Sequence, residues 1–120
     1  MAVYDEQELQ RLLALPEEDL YADLFAHSEA GQGVLGSPGM RQQRGRKLFE
    51  AHRAKFRTVV CDEWQGCDKI ERADDMISLL QILAAMIAPV APHIPAATAA
   101  VLIAKIGISV FCECSRQERE

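Results

Sequence analysis

The most apolar stretch of the chain, residues 76–112, contains no Asp or Glu, and Lys105 is its one formally charged residue. Its middle carries three of the chain's five prolines, Pro89, Pro92 and Pro95. An uninterrupted helix does not tolerate prolines at this density. The pattern therefore predicts two apolar helices joined by a proline turn, with the rest of the chain packed around this helical hairpin.

The two arms of the hairpin have different end signals. The first arm, residues 76–88, is apolar nearly all the way round and follows Asp74 and Asp75. The second arm runs from Pro95 to about Ile106, and Gly107 is placed to end it as a helix C-cap. Residues 108–114 favour a further helical turn, with a short strand as the alternative.

Two short acidic helices are predicted before residue 28. Apolar residues recur at helical spacing in residues 5–15 and again in residues 17–27, with Pro16 between them. Acidic residues crowd the first turn of each segment, where they complement the positive end of the helix dipole.

Helical periodicity is lost in residues 28–45, which contain five of the seven glycines. We expect a mobile loop here, because ordering so many glycines is entropically costly. The segment Gly31-Gln-Gly33 is not interpreted as a nucleotide loop, since no strand precedes it and no Gly-Lys-Ser/Thr follows.

Residues 41–61 predict the third and most regular helix. Its apolar face repeats at four-residue steps through Leu48, His52, Phe56 and Val60. The remaining surface is strongly basic. Amphipathic basic helices of this kind bind acidic proteins, lipid head groups or nucleic acid.

The connector after this helix contains the chain's one tryptophan, Trp64, and leads into a new helix near Asp68. A ring of this size favours a position against the core, clamping the connector. An exposed Trp64 would instead indicate an anchor for a binding partner.

Together these elements predict an all-α, single-domain bundle of five or six helices over residues 1–120, with the proline-hinged hairpin at its centre and a frayed tail at 115–120. The predicted core residues come from the third helix, the connector and both arms of the hairpin: Leu48, Phe56, Val60, Trp64, Leu80, Leu83, Ile87, Leu102 and Ile106.

Charge changes this picture because it is unevenly placed. The chain of 120 residues has a net charge of −5, which disfavours nonspecific binding to polyanions. Residues 1–29 carry a net charge of −7, residues 41–57 of +6, and residues 62–75 of −4. Either the basic helix lies against its acidic neighbours, or it presents a basic face to an acidic partner.

The four cysteines are Cys61, Cys67, Cys112 and Cys114. Because the N-terminal residues resemble no export signal, we expect free, reduced thiols and a cytoplasmic protein, with disulfides as the alternative. Their spacing does not match the paired ligands of zinc knuckles, so no metal is predicted. If Cys61 and Cys112 lie close together, oxidation would link the third helix to the C-terminal segment.

Candidate catalytic chemistry is sparse. His27, His52 and His93 are isolated along the sequence, and no nucleophile motif or paired carboxylate accompanies them. We expect His52 to be a hydrogen-bonded residue of the apolar face and His93 to face solvent or cap a turn. No enzyme activity, cofactor or small-molecule substrate is predicted.

The apolar hairpin also permits a second interpretation, a membrane-docked or membrane-active protein that uses residues 76–112. The first arm has 13 residues. It would measure about 20 Å against a hydrocarbon core of about 30 Å. Because central helices of a bundle are also apolar all round, buried core is the favoured interpretation.

The leading functional hypothesis is a non-catalytic interaction or adaptor module that binds a protein partner or associates with itself through acidic and basic helix faces. A nucleic-acid-binding regulator is a further alternative, weakened by the absence of aromatic residues among the bases. The predicted contacts lie on the basic helix: Arg46, Lys47, Arg53, Lys55 and Arg57.

Overall fold

The computed structural model describes residues 4–34, 36–69 and 75–114, and within these ranges the chain is all helical. The helices are α1 (Glu6–Leu13), α2 (Glu17–Ala26), α3 (Pro38–Arg57), a π-helical segment (Thr58–Glu63), α4 (Gly66–Lys69), α5 (Met76–Ile87), α6 (Ala96–Ile106) and α7 (Ile108–Phe111). Among these described α-helices, five have eight residues or more, which confirms the predicted all-α bundle. The frayed tail predicted for 115–120 lies outside the described residues.

The central hairpin of α5 and α6 has the predicted form. The Asp75 side chain accepts a hydrogen bond from the Ser78 N–H at 2.7 Å and so caps the start of α5. Residues 88–95 form the proline turn. Gly107 ends α6 with a φ of +96°, a conformation that glycine adopts without steric cost. The proline-hinged hairpin is therefore confirmed, and α7 supplies the expected further helical turn.

The N-terminal helices cover this hairpin. α1 packs on both α5 and α6, and α2 packs on α6. Tyr4, two residues before α1, is tied to α5, because its N–H donates to Gln81 Oε1 at 2.8 Å and Gln81 Nε2 donates to its carbonyl at 2.6 Å. This two-way hydrogen bond fixes the N-terminal segment against the hairpin.

The most extensive helix contact joins α2 to α3 and depends on Gly45. A Cβ atom on Gly45 would lie 1.7 Å from the Tyr21 carbonyl oxygen. Any side chain at this position would therefore push the two helices apart. Gly45, which lies where the predicted loop and the predicted third helix overlap, is the point where two helix backbones meet.

The loop predicted over residues 28–45 is wrong in its second half, because α3 already begins at Pro38. The Ser37 hydroxyl accepts a hydrogen bond from the Met40 N–H at 3.2 Å, and proline fits the first helical position, where no N–H partner is needed. The first half is held by Ser28, which is buried, and by the Glu29 N–H, which donates to the His93 carbonyl at 3.0 Å.

The buried face of α3 differs from the predicted one. Phe49 and Phe56 are fully buried with their ring centroids 5.6 Å apart, whereas Leu48 and His52 are only partly buried. Beyond Arg57 the helix widens to π geometry, and the Trp64 N–H donates to the Val59 carbonyl, five residues back.

The four cysteines form two disulfides, Cys61–Cys112 and Cys67–Cys114, so the expectation of free thiols is wrong. Their partners lie 51 and 47 residues apart in sequence. The chain brings them together because the hairpin returns α7 to the end of α3. Both bonds join the segment around α4 to the residues that follow α7.

The predicted core residues take two kinds of position. Six are fully buried: Phe56, Val60, Leu80, Leu83, Ile87 and Leu102. Three are partly buried and pack against that core: Leu48, Trp64 and Ile106.

Candidate functional site

Three of the five predicted contact residues on α3 are held by the fold itself. The Arg46 guanidinium lies 4.6 Å from the ring centroid of Tyr21, and that of Arg53 lies 5.2 Å from the ring centroid of Phe111. Such cation–π contacts fix the charged group above the ring. Burial, together with the Glu17 carboxylate, raises the pKa of Tyr21 above its ordinary value.

The arginines of α3 also have acidic partners. Arg53 pairs with Glu50 at 3.2 Å on the same helix. Arg57 donates to a Glu113 carboxylate oxygen at 3.0 Å, which connects α3 to the turn after α7. These two ion pairs neutralise part of the strong positive charge of α3 within the fold.

Lys47 and Lys55 differ from the arginines, because both lie on the outward side of α3 and are exposed. Within residues 4–34, 36–69 and 75–114, neither lysine forms a hydrogen bond or an ion pair. They are separated by eight residues, which corresponds to about 12 Å along a helix. Ala51 and Ala54, also exposed, lie between them. We call Lys47, Ala51, Ala54 and Lys55 the α3 outer face.

The histidines are dispersed over the fold. His27 Nδ1 lies 3.2 Å from Asp23, and His93 pairs with Glu29 beside the proline turn. His52 Nδ1 lies 2.9 Å from the Leu48 carbonyl oxygen, and the imidazole stacks on Phe56. His27 and His52 therefore contact residues of their own helix, whereas His93 contacts the segment that follows α2.

A small polar cluster forms where α2 meets α6. The Thr98 hydroxyl, which is buried, donates to Asp23 Oδ2 at 2.7 Å. This bond satisfies the hydroxyl and joins the two helices. The Asp23 carboxylate therefore lies between the Thr98 hydroxyl and the His27 imidazole. In a catalytic triad the order is different, because the imidazole lies between the nucleophile and the carboxylate.

The part of the chain that the structure describes contains no cluster of potential metal ligands. No group of three or more His, Cys, Asp or Glu side chains there could hold a metal ion. All four cysteine sulfurs are joined in disulfides.

A separate apolar feature lies beside the π-helical segment. It is an open groove of about 400 Å³ whose walls come from that segment and from the end of α5 with the proline turn. Its lining residues are Val59, Glu63, Trp64, Met86, Pro89 and Val90. We call this feature the Trp64 groove. Trp64 is partly buried, so it both packs on the core and presents ring surface to the groove.

Sequence analysis did not identify the Trp64 groove. Its two walls lie more than 20 residues apart in sequence, and no periodic pattern connects them. One signal was available, because Trp64 is the chain's one tryptophan and was considered as a possible interface anchor.

Among the described residues, no helix is both long and apolar enough to cross a membrane.

Compared with protein-family models, with curated proteins and with solved structures, the chain shows no significant match.

Proposed function

We propose that this chain is a non-catalytic helical interaction module that binds an acidic helical surface of a protein through the α3 outer face. The observation that supports this is the exposure of Lys47 and Lys55 two helical turns apart without acidic partners among the described residues. The other basic residues predicted as contacts, Arg46, Arg53 and Arg57, hold α3 in place.

The chemistry of the α3 outer face favours a helix as the partner. Ala51 and Ala54 are small, so the backbone of a partner helix can approach α3 closely between the two lysines. Carboxylates repeated at four- or seven-residue spacing on that helix would lie opposite Lys47 and Lys55. A second copy of this chain carries exposed acids in the first turns of α1 and α2, so self-association is the first form to test.

The alternatives have less support. Nucleic-acid binding would use the α3 charge, but Glu50 and Glu113 already pair with two of its arginines. Membrane docking would use the hairpin, yet most apolar side chains of α6 are buried within the bundle. The two disulfides favour an oxidising compartment over the predicted cytoplasmic location, because disulfides persist mainly in oxidising compartments.

Two double variants with the same change in charge test the proposal. The first carries Lys47→Glu and Lys55→Glu, and the control carries Lys69→Glu and Lys105→Glu, two exposed lysines on other elements. Sedimentation at rising protein concentration measures self-association. Fluorescence anisotropy measures binding to a labelled helical peptide rich in Glu and Ala.

The expected result is association that weakens at high salt and falls about tenfold in the first double variant, with little change in the control. The proposal is wrong if both double variants behave alike. It is also wrong if the wild-type protein sediments as a monomer at all concentrations and leaves the acidic peptide unbound.

A further inference from the structure

We propose that the Trp64 groove is a second docking site, which accepts the apolar face of an amphipathic helix from a partner protein with a basic residue beside that face. This site shares no residue with the α3 outer face, so the inference does not depend on the proposed function.

The apolar character of the groove comes from two walls. Val59 and Trp64 form one wall, and Met86, Pro89 and Val90 form the other. Five of the six described residues that line the groove are therefore apolar, and Leu83 and Ile87 on the same helix as Met86 are fully buried. A bulky apolar side chain entering the groove would cover ring surface of Trp64 that now faces solvent.

The shape of the surrounding surface indicates a helix as the occupant. Ile82 is 43% exposed and lies one helical turn before Met86 on α5. The strip continues from Met86 to Pro89 and Val90 in the proline turn. A partner helix laid along it would place apolar residues at helical spacing against these side chains, the arrangement found where amphipathic helices bind grooves. The groove is also open to solvent rather than enclosed.

The negative charge beside the groove favours a partner helix that carries a basic residue next to its apolar face. Among the described residues, Glu63 is the one titratable residue that lines the groove, and its neighbour Asp62 is also exposed. No Lys or Arg within the described ranges lines the groove. A Lys or Arg beside the apolar face of the partner would therefore meet Glu63, whereas a Glu in that position would be repelled.

Trp64 provides a direct measurement, because it is the one tryptophan in the chain and lies in the groove. The probe is a 14-residue helical peptide of Leu and Lys, with Leu at helical spacing. One control peptide has every Lys replaced by Glu, and another has the same composition in scrambled order. Covering the indole should move Trp64 emission to shorter wavelength and should saturate with the Leu/Lys peptide alone.

Matched variants locate the binding. Met86→Gln places a polar group in the groove and should weaken binding about tenfold, while Met76→Gln makes the same change on an exposed part of α5 and should alter it less than about twofold. Glu63→Gln, at an exposed position that should not disturb folding, should weaken binding by about twofold to fivefold. The variant with Lys47→Glu and Lys55→Glu should bind the peptide as the wild type does.

Three results would overturn the inference. In the first, the Leu/Lys peptide leaves Trp64 emission unchanged up to about millimolar concentration, the weak limit of a useful docking site. In the second, Met86→Gln and Met76→Gln bind equally well. In the third, the emission of the protein alone shifts with its own concentration and Met86→Gln abolishes the shift, which would make a second copy the occupant.

Discussion

Two glycines of α3 illustrate how differently one residue type is used within a single helix. Gly45 faces the backbone of Tyr21, where a Cβ would lie 1.7 Å from the carbonyl oxygen. Gly39 has no atom within 4 Å of the corresponding position. Both fall within residues 28–45, where the sequence predicted a loop, and Gly45 also falls within the predicted helix of residues 41–61. Only the position of α2 distinguishes a glycine that permits helix contact from one that merely weakens the helix.

Substitution of these glycines should therefore have opposite effects. Gly45→Ala should lower the free energy of unfolding by about 3 kcal/mol, because α2 and α3 must separate to admit the methyl group. Gly39→Ala should leave it unchanged or raise it by up to about 1 kcal/mol, since alanine favours the helix. Urea unfolding followed by circular dichroism measures both. Equal midpoints for the two variants would contradict the contact at Gly45.

The raised pKa of Tyr21 predicts that the folded protein loses stability at alkaline pH. Its folded-state pKa is raised, first by burial and then by Glu17. The protonated hydroxyl is therefore favoured in the folded state, and its contribution to stability is complete below the unfolded pKa of about 10. That contribution is lost as the pH rises through the folded pKa. Tyr21→Phe should be less sensitive to alkaline pH in urea unfolding. Identical alkaline profiles for the two proteins would contradict this assignment.

At the scale of elements, the boundaries that could be predicted are those with local signals. The proline turn, the Asp75 cap and Gly107 act within a few residues of the helix ends that they define, so both arms of the hairpin were placed correctly. The start of α3 was missed because the glycines concealed the Ser37–Pro38 helix start. The π-helical segment had no signal that the sequence analysis used.

The candidate sites were only partly predictable for the same reason. A basic helix is visible in the sequence, and so are the five residues predicted to bind a partner. Which of them remain available depends on where Tyr21 and Phe111 lie, and those rings come from α2 and α7. The Trp64 groove likewise exists only after α5 packs beside the π-helical segment.

The two disulfides join the same two segments, so their contributions should not be additive. Closing a loop of about 50 residues stabilises a fold by about 4 kcal/mol in the chain-entropy account. Once one bond is present, the other closes a loop of only about eight residues, worth about 2.5 kcal/mol.

Removing either bond should therefore cost about 2.5 kcal/mol, and removing both should cost about 6.5 kcal/mol. The variants replace Cys61 and Cys112, Cys67 and Cys114, or all four by Ser, and urea unfolding gives the free energies. A quadruple variant whose loss is merely the sum of the two double-variant losses would show that the loops act independently.

At the scale of the whole molecule, the acidic and basic segments are only partly neutralised within the fold. Arg57 reaches Glu113 and Arg11 lies 3.9 Å from Asp23, but Lys47 and Lys55 remain on the surface. The inner flank of α3 compensates neighbouring acids, as the first interpretation of the charge pattern has it. The second interpretation, a basic face presented to an acidic partner, stays a prediction for the exposed α3 outer face.

Redox conditions should decide how much of the chain is folded. The loss expected on reducing both disulfides, about 6.5 kcal/mol, is comparable with the whole stability of many domains, about 5–15 kcal/mol. We expect the oxidised protein to unfold in one cooperative transition and the reduced protein to unfold at a much lower urea concentration. The free, untreated protein should have an intact mass about 4 Da below that of the reduced chain, since each disulfide removes two hydrogens.

The quadruple Ser variant provides the control for this prediction, because it should match the reduced wild-type protein without any reductant present. If reduced and oxidised proteins unfolded at the same urea concentration, the helical core alone would be sufficient for stability. A strong dependence on oxidation would instead mean that a reducing cytosol leaves much of the chain unfolded. In that case the oxidising compartment indicated by the two bonds would be the one in which the α3 outer face and the Trp64 groove persist as binding surfaces.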